Sequence, residues 1–139
     1  MKFDRVLTVN DYRDGPRRGV AELDGVPHIY EAEFESNGDG YGDTYFLSPI
    51  EPALLALVLE DWAIWRRWEA AFRRGETPAH THPALPAERE RHEALASAIG
   101  DRLRVDPERC RYVRGRFGAR RPTPAFHGLW VEWQPQGLG

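Results

Sequence analysis

The sequence predicts an α+β domain, an antiparallel sheet of about five to six strands with a two-helix unit inserted between strands four and five. Three observations predict it. Residues 3–47 carry β-forming, partly alternating patterns cut by glycine-bearing turns, 51–104 carry a period of 3.6, and 111–133 return to β-formers. An SH3-like small barrel with a helical insertion is a variant of the same plan. No repeat or linker divides the chain, so residues 1–139 are expected to form a single domain.

The first strand is expected over 3–9, with a turn at Asp14-Gly15-Pro16. Residues 19–23 run into Asp24-Gly25, a hairpin signal. In 28–35, His28, Tyr30, Ala32 and Phe34 share one face while Glu31, Glu33 and Glu35 share the other, the mark of a half-buried strand. A loop at 36–43 and a short strand at 44–47 follow. The first helix is expected over 51–74, with Pro52 in its first turn and Gly75 as its stop. A proline-rich loop at 76–86 leads to a second helix over 87–104, packed with the first against one sheet face. Strands at 111–117 and 126–133 close the pattern, joined by a turn-rich stretch at 118–124.

Charge divides unevenly. Residues 1–61 carry 13 acidic and 5 basic side chains, and 62–139 carry 9 and 14, a balance of −8 against +5 within a net −3. All but one of the basic residues are arginine. Such polarity suits attraction within the chain at least as well as an external partner. A single cysteine, Cys110, forms no intramolecular disulfide and no Cys-based zinc cage, which points to a reducing compartment. The start MKFDRVLTVN lacks the apolar run of a secretory signal, and the apolar run 53–59 is far short of a bilayer span. A cytoplasmic location without membrane contact is expected.

The first helix holds three of the five tryptophans: Trp62, Trp65 and Trp68. Its apolar stripe is Leu54, Leu57, Val58, Trp65, Trp68 and Phe72, and Asp61 falls inside that stripe. A carboxylate among rings needs a partner, because an unpaired buried charge costs several kcal/mol. An indole N–H, Arg114 or Arg116, and His92 are the candidates. His92 shares a face of the second helix with Leu85, Leu95, Ile99 and Leu103, so antiparallel helices would bring it to Asp61. The pair then serves either to fix packing or as an acid and base.

Other motifs carry less. His80-Thr81-His82 with His92 is a weak metal candidate, since no spacing fixes a third ligand. The glycine-rich run 37–43 lacks the terminal glutamate of a calcium loop and the Gly-Lys-Ser/Thr of a phosphate loop. No nucleophile signature surrounds Cys110 or the serines. The segment 109–121 holds six arginines and no acid, interleaved with Tyr112 and Phe117, the footprint of a nucleic-acid surface. The competing expectation is a solvated strand face whose arginines pair with Glu31, Glu33, Glu35 and Glu132.

The runs 11–16, 19–21, 25–31 and 59–65 give the chain a resemblance to a set of uncharacterised bacterial proteins of similar length. That resemblance implies a bacterial cytoplasmic protein and transfers no activity, cofactor or catalytic residue. The expectation is a binding or interaction domain without catalysis and without a cofactor, monomeric or homodimeric, with a protein or small-molecule partner. Its binding candidates are Asp61, Trp62, Trp65, His92, Tyr112, Arg114 and Arg116. Two alternatives are an RNA or single-strand-binding module using 109–121 and a small metal-dependent hydrolase using Asp61, His92, His80 and His82.

Overall fold

The computed structural model describes residues 2–35, 40–119 and 128–135 of the chain. It is an α+β fold with six antiparallel strands in a closed barrel and two α-helices. The strands are β1 (Asp4–Tyr12), β2 (Pro16–Leu23), β3 (Val26–Glu35), β4 (Gly40–Pro49), β5 (Arg111–Ala119) and β6 (Leu129–Pro135), and the helices are α1 (Pro52–Arg73) and α2 (Arg89–Ile99). Two compact units share the chain: Met1–Ile50 with Leu103–Gly139, and Glu51–Arg102.

In the first unit each strand pairs with the next, and β1 pairs with β6 through Asp4–Val131 and Arg5–Trp130 to close the ring. The β2–β3 hairpin turns at Asp24 and Gly25, both with positive φ, as a tight two-residue turn demands. Asp4, itself buried, accepts the Gly25 N–H at 3.1 Å and so ties β1 to that turn. The wider β1–β2 turn is held by Arg17, which is 7% exposed. Its guanidinium donates to the carbonyls of Arg13 and Asp14 in the turn and of Gly42 in β4.

The barrel is filled by alternate residues of its strands. Tyr30, Tyr45, Leu47, Val113 and Val131 are buried together, with Phe117 and Trp133 packed against them. Tyr30 meets Tyr45, Phe117 and Trp133 at ring-centroid distances of 5.3–6.2 Å. The rings force small residues elsewhere. A Cβ on Gly115 would come within 2.5 Å of the Trp133 ring, so the crowded interior leaves room only for glycine.

Phe34 departs from its expected place. It is 64% exposed rather than core-facing, because the β3–β4 register shifts between Ala32 and Phe34 and the strand loses its alternation there. The expected loop at 36–43 is shorter, since β4 begins at Gly40; residues 36–39 lie outside the described residues. β5 runs on to Ala119 into the expected turn, most of which lies outside the described residues, as do residues 126–127 of the last expected strand.

In the second unit α1 starts with Pro52 and is followed by Gly75 at φ 73, which takes the helix-ending conformation that other residues resist. Its buried set is Leu54, Val58, Ile64, Trp68 and Ala71. The expected stripe is corrected at two points: Ile64 is 1% exposed and replaces Trp65 as the central residue, and Phe72 is 41% exposed. Ile64 packs with Ala84 and Leu95, with Leu57 beside them. The loop after α1 makes single turns of 3-10 helix at Ala79–Thr81 and Pro86–Glu88. α2 consequently starts two residues later than expected and stops at Gly100. Among the described residues no helix is long and apolar enough to cross a membrane.

Candidate functional site

Within the helical unit, Asp61 and His92 meet. His92 Nδ1 stands 2.6 Å from Asp61 Oδ1, with side chains 20% and 22% exposed. A carboxylate only accepts, so Nδ1 carries the proton and donates. The pair sits in a row of cross-helix contacts. Arg91 forks onto Glu60 at 2.6 and 2.7 Å, and Arg67 reaches both oxygens of Glu88. Each arginine holds its partner's carboxyl below the usual range through these hydrogen bonds. Asp61 is thus one rung of a ladder locking α1 to the segment that bears α2.

The tryptophans divide. Trp62 and Trp65 stack on each other at 4.8 Å and are half-buried. Trp68 is buried, donates its indole N–H to Thr81 Oγ1 at 2.8 Å, and meets the edge of His82 at 4.6 Å. The weak metal candidates separate accordingly: His82 packs on Trp68, His92 holds Asp61, and His80 is exposed in its 3-10 turn. Among the described residues no group of three or more His, Cys, Asp or Glu side chains gathers as a metal site requires.

On the barrel, Val113 and Phe117 of β5 face the core, which turns Tyr112, Arg114 and Arg116 outward. The expected pairing of these arginines with Glu31, Glu33 and Glu132 is corrected. Arg114 bonds Asp43 at 2.9 Å, since β4 and β5 are in register at Thr44–Arg114. Glu31 instead accepts the Val105 N–H and lies 4.0 Å from Arg18. Glu33 accepts from Tyr112 Oη at 2.6 Å and from Thr44 Oγ1, and Glu132 is buried beside Gln134. The Glu35 side chain lies outside the described residues, as do Arg120 and Arg121. Among the described residues neither Arg111 nor Arg116 is held in an ion pair, although both are exposed.

Aromatic rings flank the outward arginines. At one end Tyr112 contacts Phe46, directly across the β4–β5 pairing, at 5.1 Å. At the other, the Trp130 ring lies over Gly118, where a Cβ would come within 2.7 Å of it, and Phe3 packs on Trp130 at 4.3 Å. Along β5 the outer face therefore reads ring, Arg114, Arg116, ring. A hollow of about 310 Å³ lies among Asp43, Arg114, Arg116 and Gln134. Trp130, Phe3, Phe46 and Asp43 join this face only through strand pairing, which no short-range sequence pattern reveals.

Comparison with protein-family models, curated proteins and solved structures finds no match.

Proposed function

We propose that the protein is a binding domain without chemistry of its own, and that its binding face is the outer side of β5 and β6, fitted to single-stranded nucleic acid. In this reading the chain is a bacterial cytoplasmic protein, an SH3-like barrel with a two-helix unit inserted between strands four and five. The observation that carries the proposal is the row of ring, arginine, arginine, ring along one strand. Outward residues of a strand recur every ~6.6 Å, a spacing suited to successive nucleotides of a stretched strand. Arginines would take phosphates while Tyr112 and Trp130 stack bases.

The Arg114–Asp43 pair does not block this use. Both side chains are more than half exposed, and such a pair holds its partners weakly, so a phosphate competes with Asp43 on good terms. The alternative, a small metal-dependent hydrolase using Asp61, His92, His80 and His82, finds no gathered ligand set among the described residues to support it.

Fluorescence anisotropy of a labelled single-stranded RNA, titrated across salt concentrations, tests the proposal. Log affinity should fall linearly with log salt, and Arg114→Ala with Arg116→Ala should lower that slope by about 1.4, the release from two single-strand phosphates. Absence of binding at low salt would overturn it.

A further inference from the structure

A second hollow, of about 340 Å³, opens at the barrel end beside the β2–β3 turn. Its lining includes Leu23, Asp24, Arg111, Val113, Trp133 and Pro135. Arg111 shares its side of β5 with Val113 and Phe117, but it is the first residue of the strand. Its guanidinium therefore stands at the open end of the barrel and not within the packed core. We propose that this mouth binds a small organic monocarboxylate on an apolar body, with Arg111 taking the carboxylate.

Three features select that ligand. Size comes first: the volume sits at the lower end of the range for small-molecule sites, enough for one ring and a short chain. The floor is fixed and apolar. Trp133 donates its indole N–H to the Glu22 carbonyl at 3.0 Å, so the ring offers a rigid wall beside Leu23 and Val113. Charge decides the rest. Asp24 is engaged by Lys2 at 2.5 Å and is also stabilised by the charge of Arg111, so at the mouth two cations share one carboxylate. A planar guanidinium fork matches a carboxylate with two parallel hydrogen bonds, and a cationic ligand would meet repulsion.

The mouth adjoins the nucleic-acid face, since Tyr112 and Gln134 line it too, but Arg111 lies outside the outward row of Tyr112, Arg114 and Arg116, so variants of Arg111 report on the mouth alone. The test is a titration of the full chain with 3-phenylpropionate and, in parallel, its neutral amide, followed by the 1H–15N signal of the Trp133 indole. Loss of one indole signal in Trp133→Phe assigns it. A saturable shift with the carboxylate is expected, about tenfold weaker with the amide and in Arg111→Met, the loss due to one charge-assisted contact. Arg111→Lys should fall between, since it keeps the charge and loses the fork, and unchanged melting of both variants shows that folding is intact. No saturable shift by about 10 mM carboxylate, a range that already admits very weak binding, would overturn the proposal. Equal shifts by the amide, or an unaffected Arg111→Met, would overturn it as well.

Discussion

Tyr30 lies at 0% exposure with its hydroxyl donating to the Thr8 carbonyl at 2.9 Å. Burial pushes its phenol well above the ordinary value of 10.0, and burial pushes Tyr45 up as well. Above about pH 10 the unfolded chain sheds these protons while the folded chain keeps them, so stability falls as pH rises, by up to about 1.4 kcal/mol per pH unit for each phenol. Tyr30→Phe should flatten that alkaline decline at the cost of one hydrogen bond, read from urea midpoints on either side of that pH. An unchanged slope would place the phenol in water. Close by, Gly19 admits no side chain: a Cβ would be driven into the Thr8 carbonyl oxygen and to 2.7 Å from the Tyr30 hydroxyl. Gly19→Ala should cost about 1–3 kcal/mol or more, since the backbone it meets cannot give way. Asp61→Ala should cost about 1–3 kcal/mol by leaving a part-buried imidazole without its acceptor, and Asp61→Asn less, because its amide oxygen still accepts. Equal melting of both variants and the wild type would remove Asp61 from the list of stabilising contacts.

The helices show what a sequence pattern conveys and what it cannot. Pro52 and Gly75 mark the limits of α1 because they act on their own backbone, and the same holds for Asp24-Gly25 at the hairpin. The apolar stripe was less legible. Ile64, Trp65 and Trp68 all have apolar side chains, and what lies opposite each one decides which is sealed; Ala84 and Leu95 close over Ile64. At α2, Pro86 draws the first turn into a 3-10 form before the α-helix begins, a change that helical periodicity does not register. Energetically the buried cluster should outweigh the ion pairs along the same interface. Leu95→Ala should destabilise by about 2–5 kcal/mol. Arg91→Ala should melt close to wild type, because its pair with Glu60 is solvent-exposed on both sides. A larger effect from Arg91 than from Leu95 would invert that ranking.

Across the whole molecule, strand pairing assembles the sites from distant parts of the sequence. The arginine run was visible in the chain, and so was the acidic row expected to neutralise it. The β4–β5 register brings Asp43 to Arg114 instead, and β6 lays Trp130 across Gly118. Register is a property of two segments at once, so neither contact could be read from either segment alone. Arg114→Ala should therefore affect nucleic-acid binding more than folding, measured by anisotropy and by thermal unfolding on the same sample. A large drop in melting temperature would make the Asp43 contact structural.

The ring of strands also bears on how copies of the chain meet. Closing the ring through β1 and β6 shortens the free row of backbone groups on which another strand could be templated. Its seam between β1 and β6 is short, held at Asp4–Val131 and Arg5–Trp130 with Phe3 pressed on Trp130. Should that seam part, two complementary margins come free together, and each suits its counterpart in a neighbouring copy as well as it suits its own. Under mild denaturation the molecule should therefore self-associate by exchanging terminal strands, yielding a dimer that reverts to monomer on refolding at high dilution.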